Sequence, residues 1–393
     1  VTATTDGAVR RLTAVVALQL ALFVALGLPD GALGVAWPAM RDSVGRPLGD
    51  LGVVLASSTL GYLAGSTTMA RVVRRAGTGR AMALAATVAT LAVAIWAATS
   101  TWPMLLAAGF VLGTTRGVTD AGLNTHVALH GGVRRMGLLH AAYGVGTTVA
   151  PLLVVAGDAV TGSWRSAWLA LAAVHGVLAV WAWQLVPAWP AEPEHDEARR
   201  RADGPVPVGT VVLTLATFAA LVAAEYTPGA WSYTLLTESR GMGDAAAGVW
   251  VATYWGGLTA GRFAMALWGH RVAPSHLLRA GCLLGLAGLG WLAADPLGLG
   301  PLGLPVAGLG YASVFPVLVL LTPERIGVSR SPTVIGWAAA VANLAGVAAA
   351  WTMGLLAEDD PGVLAPAFVL AAAVLVLLEI VLAASVRRPV AAP

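Results

Sequence analysis

Apolar runs recur along the chain, separated by short polar breaks. They lie near residues 12–39, 48–70, 81–99, 103–128, 136–158, 164–186, 208–236, 244–268, 276–293, 297–321, 333–356 and 363–386. Each is about as long as the roughly 20 residues a helix needs to cross a hydrocarbon core of about 30 Å. The runs are rich in Ala, Leu, Val and Gly and do not alternate polar with apolar residues as a membrane barrel strand does. Helices, which satisfy their own backbone groups, are then the spanning solution. The pattern predicts an all-α membrane protein of twelve transmembrane helices.

Composition points the same way. Of 393 residues, 58% are hydrophobic and only 11% charged, giving a mean hydropathy of +0.77, far more apolar than a soluble domain needs. The chain has no lysine, so arginine alone reports which loops stay inside. With the N-terminus inside, cytoplasmic segments hold Arg10, Arg11, Arg71, Arg74, Arg75, Arg80, Arg134, Arg135, Arg199, Arg200, Arg201, Arg271, Arg279, Arg325, Arg330, Arg387 and Arg388. The opposite side receives only Arg41, Arg46, Arg165 and Arg240, and collects acids such as Asp244, Asp295, Glu358, Asp359 and Asp360. An odd number of spans would scramble this separation, so both termini are expected in the cytoplasm. The net charge of +3 then follows from topology and is no nucleic-acid footprint. The opening "VTATTDGAVRR" precedes an apolar run that continues through Trp37, which fits a first span better than a signal peptide. The single cysteine, Cys282, falls inside a predicted span and reads as core filler.

The one long polar break is "PAWPAEPEHDEARRRADGPVP", rich in proline and in charges of both signs. It divides the chain into an N-terminal six-helix bundle (1–186), a cytoplasmic linker (187–207) and a C-terminal six-helix bundle (208–393). The halves look duplicated. "AGSTTMARVVRR" (64–75) aligns without a gap on "AGRFAMALWGHR" (260–271), each at the inner end of its half's second span.

Charge inside a span costs on the order of 2.5–3.5 kcal/mol on insertion scales, so buried polar groups mark function or pairing. They are few: Asp30 in span 1, Arg116 and Asp120 in span 4, Glu225 in span 7, Arg262 near the inner end of span 8, and Glu379 in span 12. Arg116, Asp120 and Asn124 are spaced four apart and share one helix face. His140, Tyr143, Gly144 and Thr147 share a face of span 5, and Asn343 occupies a comparable turn of span 11. Such stripes are expected to face a polar cavity. Asp30 and Glu225 stand at similar depth in the first helix of each half, followed by Trp37 and by Trp231 and Tyr233. Each acid is flanked by helix breakers, Pro29 and Gly31 or Pro228 and Gly229. Kinks there are expected to turn free backbone groups toward a cavity between the halves. Glu379, on the last span, is expected to pair or snorkel, and His175 to be a satisfied helix contact.

With twelve spans, a central loop and a basic loop between spans 2 and 3, the chain resembles the major facilitator superfamily. That superfamily's loop motif is degenerate here, since "GYLAGSTTMARVVRRAGTGR" has Gly65 in place of the acid. The degeneracy resembles the fucose permease branch, the fucose/proton symporters. "DAGLNTHVALHGGVRRMGLLHAAYGVG" is similar to that branch's span 4 running into span 5, with Asp120 at its acid, Asn124 at its asparagine and His140 where a glutamine is usual. "GRFAMALWGHRVAPSHLL" is similar to its span 8 to 9 link, and Asp30 falls at its span 1 acid. Arg116 departs from the symporter pattern, and Glu225 with "AGRF" looks more like the branch's bacterial relatives than the fucose carriers themselves.

The resemblance implies alternating access with solute movement coupled to protons. Asp30, Asp120 and Glu225 are then the candidate proton carriers. If Arg116 pairs with Asp120, Asp30 is the carrier. Arg116, Asn124, His140, Tyr143, Asn343, Trp37, Trp231 and Tyr233 are candidates for solute binding, and Arg74, Arg75, Arg262 and Arg271 for a cytoplasmic gate. The leading expectation is a monomeric importer of a small neutral polar solute, a sugar or polyol, in the bacterial cytoplasmic membrane. The alternative is a proton-driven exporter of amphipathic compounds, favoured by the tryptophans and Arg116. A membrane enzyme or receptor on the same scaffold is disfavoured, because no nucleophile–base pair, His/Cys ligand spacing, phosphate-cradling loop or HExxH is present. The proton gradient, not a cofactor or nucleotide, is the expected energy source.

Overall fold

The computed structural model describes residues 2–130, 132–189, 208–327 and 331–387. Beyond Trp189, the predicted linker lies outside the described residues. The chain divides into two compact units, Val1–His195 and Asp196–Pro393. The first contains α1 (Thr2–Ser43), α2 (Leu51–Ala76), α3 (Thr78–Ala98), α4 (Trp102–His130), α5 (Gly132–Thr161) and α6 (Arg165–Leu185). The second contains α7 (Val208–Thr234), α8 (Asp244–Trp268), α9 (Pro274–Ala294), α10 (Gly303–Tyr311), α11 (Val314–Ile326), α12 (Ser331–Leu356) and α13 (Leu364–Arg387).

Helices α10 and α11 are one predicted span with a break at Ala312 and Ser313. Pro316, in the first turn of α11, has no N–H to give the Ala312 carbonyl, and its ring crowds that carbonyl. Among the described residues, ten elements are long and apolar enough to cross a membrane, residues 300–326 counting as one. The hydrophobic pattern predicts two more, α4 and α8. These carry charge well inside the helix, Arg116 and Asp120 on α4 and Arg262 on α8.

In the first unit α1 packs on α5, α2 on α4, and α3 on α6. A core of Leu18, Leu22, Phe23, Met82, Leu123, Leu139 and Leu178 joins α1, α3, α4, α5 and α6. In the second unit α7 packs on α12 and α13, α8 on α10, and α9 on α10 and α13. Lipid offers no hydrophobic drive between helices, so close backbone approach at small residues must hold them together. The α2/α4 crossing does this with Gly61 against the Phe110 carbonyl, Gly65 against that of Thr114, and Gly113 against that of Ser58. A methyl group at any of these positions would run into backbone. The α8/α10 crossing repeats it: Gly257 meets the Pro305 carbonyl, Gly308 that of Tyr254, and Gly261, more loosely, that of Leu309, with the Ala312 side chain closer still. In all three contacts the α8 residue lies 196 positions after its α2 counterpart, and the α10 residue 195 after its α4 counterpart. The two units are therefore repeats at the level of contacts, which a handful of identities in an Ala- and Gly-rich chain could only suggest. The crossing also explains the degenerate loop motif, because an acid at Gly65 would have to displace the backbone of α4.

The helix breakers beside the two acids do not end their helices. Helix α1 continues through Pro29 and Gly31, and α7 through Pro228 and Gly229. The glycines serve packing instead. Gly27 and Gly31 let α1 approach the carbonyls of Tyr143 and Thr147 on α5, and Gly229 makes room for the ring of Trp255.

Most of the described arginines assigned to the cytoplasmic side differ from those assigned to the opposite side, Arg325 being held by Glu379 and Arg279 half-buried. Arg71, Arg74, Arg75, Arg80 and Arg271 are exposed and make no ion pair among the described residues. Those assigned to the opposite side are each held locally. Arg46 pairs with Asp50 at 2.5 Å and lies over the Trp102 ring. Arg165 donates to the Thr99 carbonyl at 2.9 Å. Arg240 donates to the Leu292 carbonyl and lies 3.4 Å from Asp295, while Arg41 lies 3.7 Å from Asp42. These exceptions to the charge bias are thus tied up by local partners.

Candidate functional site

The α1/α5 crossing sets the first unit's polar cluster. Because Gly27 rests on the Tyr143 carbonyl, the Tyr143 side chain lies beside the next turn of α1, and its hydroxyl donates to Asp30 Oδ2 at 2.6 Å. Arg116 of α4 pairs with the same oxygen through Nη2. One acid of α1 is therefore held by a cation from α4 and a phenol from α5. The Asp30 and Arg116 side chains keep 10% and 22% of their surface exposed, so the pair is shielded but not sealed from water.

One turn along α4, Asp120 accepts from Tyr62 of α2 at 2.6 Å and from Asn124 at 2.9 Å. The four-residue spacing does place Arg116, Asp120 and Asn124 on one face, and the structure adds that Arg116 reaches Asp30. Tyr62 was not predicted. Gly117 packs on the Tyr62 carbonyl, so the glycine crossing that joins α2 to α4 also aims the phenol at Asp120. The only signal was its place between Gly61 and Gly65, which carries meaning once those glycines are known to face α4.

In the second unit Glu225 lies 3.3 Å from Arg262 of α8, and its own carbonyl accepts the hydroxyl of Tyr254. Glu225 is thus joined to α8 by both side chain and backbone. Arg262, predicted for a gate, is committed to this acid.

The remaining candidates separate. Trp37 and Trp231 are fully buried, and their indole N–H groups donate to the carbonyls of Leu48 at 2.8 Å and Ala350 at 3.0 Å. That placement makes them packing residues. Tyr233 donates to Asp244 at 3.0 Å, joining the ends of α7 and α8. His140 is exposed and meets the Phe23 ring edge-on at 5.8 Å. Asn343 donates back to the Ala339 carbonyl of its own helix at 2.8 Å. His175 is a satisfied helix contact, Nδ1 lying 2.8 Å from the Leu171 carbonyl, and Glu379 pairs with Arg325 at 3.1 Å.

No curated protein matches the chain significantly in sequence. Solved structures match its fold. The nucleoside transporter NupG superposes with a TM-score of 0.72 at 14% identity, over 94% of this chain and 99% of that one. A D-xylose–proton symporter gives 0.72 at 15% identity, over 93% and 97%. The E. coli fucose:proton symporter FucP gives 0.60 at 13% identity, over 93% and 98%. At such identities these likenesses show the fold alone. The family model of the Major Facilitator Superfamily matches residues 20–350. Since that match spans most of the chain, the protein belongs to the Major Facilitator Superfamily and is a multi-pass membrane transporter, not an enzyme.

Proposed function

We propose that the protein is a proton-coupled secondary transporter that moves a small neutral polar solute, of the sugar or polyol class, by alternating access, with both termini in the cytoplasm. The observation that carries this reading is the Asp30 cluster, in which one carboxylate oxygen takes both Arg116 and Tyr143. While Asp30 is ionised, both donors are committed to it. Protonation removes the charge that holds Arg116, and the guanidinium and the phenol become donors for solute hydroxyls. Protonation and solute binding then favour each other through shared donors, which is the minimum chemistry of symport. Asp120 with Tyr62 and Asn124 extends the same set of polar groups along α4. Glu225 with Arg262 is the second unit's counterpart. A neutral solute fits because the acids of these clusters outnumber the arginines.

Proteoliposomes under an imposed pH gradient, offered a panel of sugars, polyols and amphipathic dyes, test this. Gradient-driven accumulation of a sugar or polyol is expected, lost in Asp30→Asn while exchange across equal pH persists. Unaltered proton coupling in both Asp30→Asn and Asp120→Asn would reject the assignment of carriers. Dye extrusion without sugar uptake would turn the reading to an exporter.

A further inference from the structure

Helices α9 and α13 pack together and leave an open groove of about 570 Å³ between them, many times the roughly 30 Å³ share of one water. Its apolar walls are Cys282 and Leu283 of α9 and Val376, Ile380, Ala383 and Ala384 of α13. Leu283 and Ile380 are more than half exposed, as is the adjoining Leu377, so the groove opens on the apolar flank of the unit. None of the residues that hold Asp30, Asp120 or Glu225 lines it.

Two charged side chains also line this groove, Arg279 and Glu379. Glu379 is 3% exposed and is held by Arg325 of α11, itself 8% exposed, at 3.1 Å. Both Glu379 oxygens are engaged, Oε2 at 3.4 Å from each terminal nitrogen of Arg325. Arg325 therefore cancels Glu379. Arg279 is half-buried and makes no hydrogen bond or ion pair among the described residues; it acts on Glu379 only through the field between them. The cluster retains one net positive charge, on the wall of an apolar groove, about 7.5 Å along α9 from Pro274. A half-buried cation without a hydrogen-bonded partner among the described residues, beside an apolar channel, suits one ligand chemistry, an anionic headgroup on a hydrocarbon chain.

We propose that this groove binds an anionic phospholipid, its phosphate on Arg279 and one acyl chain along Leu283, Val376 and Ile380. Arg325 has a positioning role, since it offsets the carboxylate that would repel the phosphate. The inference needs α9 and α13 to be membrane spans and nothing about the solute.

The full-length protein in detergent, titrated with phosphatidylglycerol and with phosphatidylcholine of the same chains and followed by native mass spectrometry, decides it. Phosphatidylglycerol is expected to bind about tenfold tighter, a difference near 1.4 kcal/mol. Arg279→Gln should erase the preference, Arg279→Lys keep it, and Ala383→Phe, which fills the groove, weaken both lipids. Equal affinities, or a preference that survives Arg279→Gln, would overturn the proposal. So would displacement of the lipid by glycerol phosphate alone, which would indicate an anion site without a chain, or a dimer that Ala383→Phe dissociates, which would indicate a contact between copies. The measurement uses no gradient and no solute, so its failure is separate from failure of the transport reading.

Discussion

The two units share their packing and differ in where they put charge. The α2/α4 and α8/α10 crossings repeat contact for contact, yet Asp30 receives its cation from α4 and Glu225 from α8. Read across by the same 195 positions, Arg116 becomes Tyr311, whose buried hydroxyl has no partner among the described residues. Read back by 196, Arg262 becomes Ser66, which bonds to the Leu63 carbonyl of its own helix. Glycines that touch backbone leave no freedom, because any side chain there displaces a helix. The polar positions one residue away are not so bound, and each unit supplies its acid from whichever helix of the pair carries an arginine. The repeat is therefore architectural, and the chemistry is particular to each half.

The strongest way to break this comparison is through the glycines. Gly61→Leu and Gly257→Leu place a side chain against the Phe110 and Pro305 carbonyls, and backbone cannot yield as a rotamer can. Each is expected to cost about 3 kcal/mol or more, seen as loss of monodisperse protein or a steep fall in the unfolding temperature in detergent. Gly137 has nothing near it, so Gly137→Ala should leave stability unchanged or raise it by up to about 1 kcal/mol. Tolerance of Gly257→Leu but not of Gly61→Leu would mean that the crossings are equivalent in outline only.

The charges come next. A double-mutant cycle on Asp30→Asn and Arg116→Gln is expected to give a coupling of roughly 2 kcal/mol, because the pair is partly shielded and reinforced by Tyr143. The same cycle on Glu225→Gln and Arg262→Gln should give roughly 1 kcal/mol, in keeping with the longer 3.3 Å contact. Chemical unfolding of the four proteins in each cycle measures both. The reverse order would make Glu225 the more tightly held acid.

Hydroxyls sharpen the contrast further. Tyr62→Phe removes a donor from Asp120 and is expected to cost about 1.5 kcal/mol and to lower solute uptake several-fold. Tyr311→Phe removes a hydroxyl that no group among the described residues answers, so it should be neutral or stabilising. A large loss of uptake in Tyr311→Phe with stability unchanged would show that this hydroxyl finds a partner during transport, and would make it the functional counterpart of Arg116.

What was legible in the sequence follows the range of the interactions. Helix positions are written in local composition, and so is the shared face of Arg116, Asp120 and Asn124, because four residues make about one turn. The partner of Arg116 was not legible. It depends on how closely α1 approaches its neighbours, and that is set by Gly27 and Gly31, residues that look locally like breakers beside a proline. Glu379 and His175 were legible for a different reason: pairing and back-bonding to one's own helix are the cheapest ways to keep a polar group in lipid, and these residues use them.

The two tryptophans make the finest distinction between the units. Both follow the acid of a first helix by about two turns, and both are candidates for solute binding by sequence. Trp37 instead donates to Leu48, just before α2, and Trp231 to Ala350 on α12, so the repeat breaks here in the bonding partner as well. Exchange for phenylalanine keeps an aromatic ring and deletes one hydrogen bond. Trp37→Phe and Trp231→Phe should each cost only about 1 kcal/mol and leave the half-saturating solute concentration unchanged, as measured by uptake into proteoliposomes. Weakened solute binding in Trp231→Phe but not Trp37→Phe would return one tryptophan to the binding surface and place solute against the second unit. With both unmoved, solute contacts narrow to the donors that Asp30 and Asp120 share with it.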